Sequence, residues 1–114
     1  MLNIKLAKKW VKALRSGKYR QVQNVLKGPD GSKHVGFCCL GVYCDIYDKT
    51  KWKKDSDGNN RYLGSYMDMP EKLRQELGLT STQVSELVSM NGDYDKSFKD
   101  IANHIENYYT KKCV

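Results

Sequence analysis

Residues 37–47 read FCCLGVYCDIY and form the most hydrophobic stretch of the chain. Asp45 is the one charge within it, with Asp48 just beyond, and its length and periodicity allow either a helix or a strand. We favour a helix, because a helix that is apolar nearly all round is typical of the buried centre of a small domain. In that helix, Gly41 would permit close packing by a neighbouring segment.

Apolar residues at helical spacing predict a helix at the beginning of the chain. Asn3 is a plausible N-cap, and Gly17 can supply the left-handed residue that ends the helix. The apolar stripe consists of Ile4, Ala7, Trp10, Val11 and Leu14.

The C-terminal half predicts three further helices. Pro70 opens a short helix that Gly78 closes, and Thr80 with Gln83 forms the capping box of the next. Ser97 with Asp100 forms a similar box before the last helix. The expected apolar faces are Val84, Leu87 and Val88 on one helix, and Phe98, Ile101, Ala102, Ile105 and Tyr109 on the other.

Residues 18–27 contain Tyr and Val and are interpreted as a strand. The sequence GPDG at 28–31 has strong turn chemistry, so residues 33–37 are expected to return as the second strand of a hairpin. A short hairpin or loop is predicted within residues 49–66. With about five helices and a small antiparallel sheet, residues 1–114 are predicted to form a single domain of the α+β class.

Positive charge is concentrated in the first third of the chain. Residues 1–36 carry nine lysines and arginines and one acid, whereas residues 37–114 carry eleven bases and twelve acids. The net charge of +7 is therefore local. Such segregation favours an anionic partner, which could be a nucleotide, a nucleic acid or an acidic protein.

The segment SGKYRQ at 16–21 is the main candidate ligand site. Lysine and arginine pair with phosphates, a glycine can expose backbone N–H groups, and a tyrosine offers a stacking face for a base. The alternative is a solvated basic helix face followed by an ordinary edge strand. The complete set of candidate ligand-binding residues is Arg15, Ser16, Gly17, Lys18, Tyr19, Arg20, Gln21 and Trp52.

The four cysteines do not form a recognisable metal site. Cys38, Cys39 and Cys44 fall in the apolar stretch, and Cys113 is near the end. No standard zinc-ligand spacing links them to a histidine. A catalytic thiol paired with His34 or His104 is conceivable, but core packing is the favoured interpretation.

Other motifs for chemistry are absent from the sequence. There is no Walker phosphate loop, no dinucleotide fingerprint, no nucleophile elbow and no zinc-protease motif. Residues 55–66 begin like a calcium loop but lack its glycine and its final glutamate. We therefore expect no catalytic residue, no metal and no cofactor.

Three segments carry a resemblance to a known group: WVKALRSGKYRQ at 10–21, GFCCLGVYCD at 36–45 and SFKDIANHIE at 97–106. Together they resemble a group of small phage-encoded proteins. The resemblance implies an accessory protein made inside an infected bacterium, where such proteins commonly counter host defences.

Several function classes remain open on this basis. The first is a non-catalytic binder that sequesters a nucleotide-derived anionic ligand, such as a cyclic oligonucleotide or an ADP-ribose derivative. The alternatives are a nucleic-acid-binding module using the stripe from Lys5 to Arg15, a protein inhibitor of an acidic host factor, and a small thiol enzyme. We expect a cytoplasmic location, because no signal peptide or membrane span is apparent, and a homo-oligomer would be unsurprising.

Overall fold

The apolar stretch forms a helix at the centre of the fold. The computed structural model describes residues 2–31 and 34–110 of the chain, and it places helix α2 at Cys39–Asp48. The first six residues of α2 are all buried. Gly41 lies against the backbone of Leu26, and a Cβ at this glycine would overlap the Leu26 carbonyl oxygen. The prediction that Gly41 permits close packing is therefore confirmed.

The described residues form four other α-helices, and the predicted N-caps Asn3, Thr80 and Ser97 are where the sequence places them. Asn3 accepts a hydrogen bond from the N–H of Leu6, and Thr80 forms its capping box with Gln83. The helices are α1 (Ile4–Arg15), α3 (Glu71–Leu77), α4 (Ser81–Asn91) and α5 (Phe98–His104), which continues into a π-helical segment (Ile105–Tyr109). Helix α1 packs against both α2 and α5.

The prediction of the apolar face of α4 is only partly correct. Leu87 is fully buried and Val84 is partly buried, but Val88 is 47% exposed. The side chain of Val88 instead lines a small surface cavity of about 90 Å³ beside α2.

The strands form two small sheets. Sheet one consists of β1 (Arg20–Gln21), β2 (Lys27–Pro29) and β3 (Val35–Phe37) in the order β1-β3-β2. Strands β2 and β3 are antiparallel, whereas β1 and β3 are parallel. Sheet two is the antiparallel pair β4 (Trp52–Lys54) and β5 (Asn60–Tyr62), which a short 3-10 turn (Lys49–Lys51) joins to α2. The chain is therefore an α+β protein.

The predicted continuous strand at 18–27 is wrong, because the chain leaves the sheet after Gln21. Asn24 has a left-handed backbone, with φ of 70°, and Leu26 is fully buried. The N–H of Leu26 donates to the carbonyl of Tyr66, and its own carbonyl accepts from the N–H of Cys38. Burial of Leu26 over α2 thus outweighs continuation of the strand.

The hairpin that does form begins later in the sequence than predicted, at β2. Gly28 and Pro29 lie in strand β2, where they pair with Gly36 and Val35, and do not form the turn. The predicted second strand began at Lys33, which lies outside the described residues.

The hairpin between β4 and β5 confirms the prediction for residues 49–66. One carboxylate oxygen of Asp55 accepts from the N–H groups of Asp57 and Asn59, and the other accepts from Arg61 Nε at 2.7 Å. These bonds hold the turn and lower the pKa of Asp55.

Among the described residues, no helix is long and apolar enough to cross a membrane.

Candidate functional site

The exposed side of α1 carries a row of positive charge. Burial of its apolar stripe against α2 and α5 leaves Lys5, Lys8, Lys9, Lys12 and Arg15 at the surface. Residues 8, 12 and 15 are spaced by four and three positions and therefore share one helix face.

A groove of about 680 Å³ runs along this face of α1. The cations that line it are Lys8, Lys12, Arg15 and Lys18, and the remaining lining residues are Val11, Ser16, Glu106 and Thr110. Lys18 reaches the groove because the chain reverses at Gly17, which has a φ of +76°. Four cations in one groove create a strong attraction for a compact anion.

Side-chain hydrogen bonds fix the turn that follows α1. The hydroxyl of Ser16 donates to the carbonyl of Ala13 at 2.6 Å and accepts from the N–H of Lys18 at 3.2 Å. Ser16 and Gly17 therefore orient Lys18 with respect to the helix, and the Lys18 N–H is already hydrogen-bonded.

Arg15 already binds a carboxylate inside the protein. Its Nη1 donates to Glu106 Oε2 at 3.1 Å, and its Nη2 donates to Glu106 Oε1 at 3.2 Å and to Asn103 at 2.6 Å. The guanidinium lowers the pKa of Glu106. This two-pronged contact is the arrangement in which arginine also binds phosphate, so an anionic ligand in the groove would compete with Glu106.

A second depression of about 230 Å³ adjoins the groove. Lys12, Ser16 and Lys18 line both, and the second is bounded further by Lys9, Ala13, Tyr19 and Ile46. Tyr19 thus lies at the edge of the positive surface.

Two aromatic residues of the candidate set meet at a single carboxylate. The hydroxyl of Tyr19 donates to Asp45 Oδ2 at 2.8 Å, and Trp52 Nε1 donates to Asp45 Oδ1 at 3.1 Å. Partial burial and the neighbouring Asp45 raise the pKa of Tyr19 to about 12. Both residues are only partly buried, so their rings retain some accessible surface.

The other two candidate residues lie away from the groove lining. Arg20 is exposed and forms an ion pair of 3.4 Å with Asp30. Gln21 turns toward α4 and α5, where its amide donates to Asn91 Oδ1 at 3.0 Å and accepts from the N–H of Phe98 at 3.1 Å. The structure therefore brings Arg15, Ser16 and Lys18 together and gives Gln21 a role in packing.

Sequence reasoning placed Lys8 and Lys12 on a basic stripe but omitted them from the candidate ligand set. Their helical spacing to Arg15 could have identified them. Glu106 could not be found in this way, because it reaches the groove from the other end of the chain.

The described cysteines belong to the core. Cys38, Cys39 and Cys44 are buried, and burial raises the pKa of all three thiols, that of Cys38 to about 11. Activated thiols need the opposite shift. Cys113 lies outside the described residues.

No metal site is evident in the part of the chain that the structure describes. No group of three His, Cys, Asp or Glu side chains there is placed to hold an ion. The ring of His104 is hydrogen-bonded to Glu86 at 2.7 Å, and the Tyr109 hydroxyl donates to the same carboxylate.

Comparison with known proteins gives one family. Residues 2–76 match the family described as Domain of unknown function (DUF8296). The chain belongs to this family. No curated protein matches the chain, and no solved structure does. All four cations of the groove, together with Tyr19 and Trp52, lie within the matched residues, whereas Glu106 and Thr110 lie beyond them.

Proposed function

We propose that the chain binds and sequesters a nucleotide-derived anionic ligand without catalysis. The observation that carries this proposal is the groove along α1 that Lys8, Lys12, Arg15 and Lys18 line together. Lysine and arginine neutralise phosphate charge, and Arg15 is preorganised for a two-pronged contact. The groove volume of about 680 Å³ falls within the range of ordinary small-molecule sites.

Counter-defence is the setting that we propose for this binding. The resemblance to phage-encoded proteins supports it, and sequestration requires an affinity site but no catalytic group. A cyclic oligonucleotide or an ADP-ribose derivative has the several phosphates that four cations can engage. The cations are exposed, so binding is expected to weaken as salt concentration rises.

A thermal-shift panel followed by calorimetry tests the proposal. The panel contains cyclic oligonucleotides, ADP-ribose species, mononucleotides and inorganic polyphosphate. A ligand at a hundred times its dissociation constant stabilises the folded state by about 2.7 kcal/mol, which is readily detected. At least one of these phosphate-bearing compounds is expected to bind.

Substitutions in the groove test where the ligand binds. Lys12→Ala and Lys18→Ala are each expected to weaken binding about tenfold, because a hydrogen bond to a charged group is lost. Lys72→Ala removes an exposed lysine of α3 that does not line the groove, and it serves as the control. Equal effects of all three substitutions, or no binding by any compound, would contradict the proposal.

A further inference from the structure

A row of aromatic rings extends from the edge of the positive surface. Tyr19 and Phe37 meet edge to face with ring centroids 5.1 Å apart, and Phe37 meets Trp52 in the same manner at 6.0 Å. The ring of Trp52 in turn contacts the ring of the buried Tyr62, with ring centroids 4.9 Å apart. The row therefore leads from Tyr19, beside Lys12 and Lys18, to Trp52 on strand β4.

Asp45 holds this row in place. Because its two carboxylate oxygens accept from Tyr19 and from Trp52, the rings at both ends have fixed orientations. A rigid aromatic surface loses little entropy when a planar group stacks on it.

Positive charge accompanies the rings at the Trp52 end. Lys27 places its ammonium 5.0 Å from the centre of the Trp52 ring and 5.6 Å from that of Phe37. Trp52 itself lies within the sequence KTKWKK at 49–54, whose four lysines are all exposed. Aromatic rings interleaved with lysines are the combination with which proteins bind single-stranded nucleic acid.

We propose that Phe37 and Trp52 form a nucleobase-stacking site, and that the ligand is a single-stranded oligonucleotide. Its phosphates lie in the groove along α1, and an unpaired base stacks on Trp52. Lys27 moves from the ring face and pairs with a phosphate of the same strand. This inference rests on the proposed function, because the groove supplies the phosphate contacts.

The two ends of this surface set the length of the ligand. A mononucleotide reaches the groove or the rings, whereas an oligonucleotide engages both. Duplex nucleic acid keeps its bases stacked inside and therefore gains nothing from Trp52.

Fluorescence titration with two probes tests the inference. Inorganic polyphosphate carries phosphates but no base, and a short oligothymidylate carries both. Of the two tryptophans, Trp10 is fully buried and Trp52 is partly exposed, so quenching on binding reports Trp52. Oligothymidylate is expected to quench the emission and polyphosphate is expected to bind without quenching it.

Variants of Trp52 separate stacking from charge. Trp52→Leu is expected to weaken oligothymidylate binding about five- to a hundredfold while leaving polyphosphate binding unchanged. Trp52→Phe retains a ring and should restore most of the affinity. Tyr94→Leu removes an aromatic ring that is 69% exposed elsewhere, and it controls for general loss of aromatic surface.

The outcomes distinguish the two proposals. If polyphosphate binds but oligothymidylate binds no better, or if Trp52→Leu weakens both probes equally, the stacking site is overturned and the groove stands. Equal affinity for duplex and single strand also overturns the stacking site. If neither probe binds, the stacking site is overturned, and the proposed function then depends on the cyclic oligonucleotides and ADP-ribose species of the thermal-shift panel. The melting temperature of each variant shows whether it is folded.

Discussion

Gly41 is the residue on which the packing of the central helix depends most directly. A Cβ at this position would overlap the carbonyl oxygen of Leu26, and backbone atoms cannot move aside as a side chain can. We expect Gly41→Ala to destabilise the protein by more than the ~1–3 kcal/mol that is typical of overpacking. Urea unfolding followed by tryptophan fluorescence measures the change.

Gly58→Ala is the matched control for this substitution. Gly58 has a φ of +83°, and among the described residues other than Gly58 and its two chain neighbours, no atom lies within 4 Å of the point that a Cβ would occupy. Alanine at position 58 therefore causes backbone strain but no overlap, and we expect the free energy of unfolding to fall by ~1–2 kcal/mol. A Gly41→Ala variant no less stable than Gly58→Ala would show that α2 and Leu26 can separate at little cost.

Asn91 connects three segments through one buried amide. Its Oδ1 accepts from the N–H of Cys39 at 3.2 Å and from Gln21, and its Nδ2 donates to the carbonyl of Val22 at 2.8 Å. Asn91→Ala leaves these groups without their partner, and each unsatisfied buried group costs ~1–3 kcal/mol. We therefore expect a loss of about 2–4 kcal/mol in the free energy of unfolding.

Chemical denaturation of Asn91→Ala beside Asn107→Ala checks this expectation. Asn107 is exposed, and its replacement should change stability by less than about 0.5 kcal/mol. Equal stability of the two variants would mean that water replaces the Asn91 amide without loss.

At the scale of elements, the helices were predictable and the first sheet was not. Helix caps and apolar spacing are local, so Asn3, Thr80 and Gly78 could be identified from the sequence alone. Strand β1 has only two residues and pairs with β3 in parallel, an arrangement that depends on contacts distant in sequence. Burial of Leu26 over Gly41 likewise has no local signal.

The contact between α1 and the C-terminal π-helical segment gives a prediction about affinity. Glu106 forms an ion pair with the guanidinium of Arg15, and both residues line the groove. Glu106→Gln removes a negative charge that competes with the ligand, so we expect polyphosphate to bind about two- to fivefold more tightly. Little change in stability is expected, because the ion pair is exposed to solvent.

Calorimetry with polyphosphate measures the affinity of this variant. Asp93→Asn changes the net charge equally at an exposed position away from the groove, so it separates direct competition from a general effect of charge. Weaker binding by Glu106→Gln would mean that Glu106 positions Arg15 and does not compete with the ligand.

For the molecule as a whole, sequence reasoning located the positive surface but not the contacts that shape it. Segregation of charge in residues 1–36 identified the region, because net charge needs no tertiary information. The joint role of Asp45 as acceptor for Tyr19 and Trp52 depends on how α2 and β4 pack, and no sequence pattern specifies it.

Stability should fall as pH rises above about 9, since many of the buried groups are thiols and phenols. Burial raises the pKa of Cys38 from 9.0 to about 11 and raises the pKa of Tyr43 from 10.0 to about 12. The folded protein then holds protons that the unfolded chain releases between pH 9 and 12. The stabilisation is complete below pH 9 and is lost progressively across this range.

Hydrogen-bonded carboxylates produce the opposite dependence in acid. Hydrogen bonds lower the pKa of Asp48, Asp55 and Glu71 below their ordinary values near 4. Their contribution is present above those ordinary values and is lost as pH falls through the lowered ones. The midpoint of urea unfolding should therefore be highest between about pH 5 and 8.

Tyr43→Phe tests the alkaline limb of this profile. The hydroxyl of Tyr43 is buried and has no hydrogen-bond partner in the part of the chain that the structure describes, so its removal should not reduce stability at neutral pH. It also removes a group that titrates, and the loss of stability between pH 10 and 11 should become smaller. Tyr108→Phe, at a tyrosine that is 73% exposed, should leave the profile unchanged. Identical profiles for Tyr43→Phe and the unmodified protein would mean that water reaches the Tyr43 hydroxyl and that other groups determine the alkaline limit.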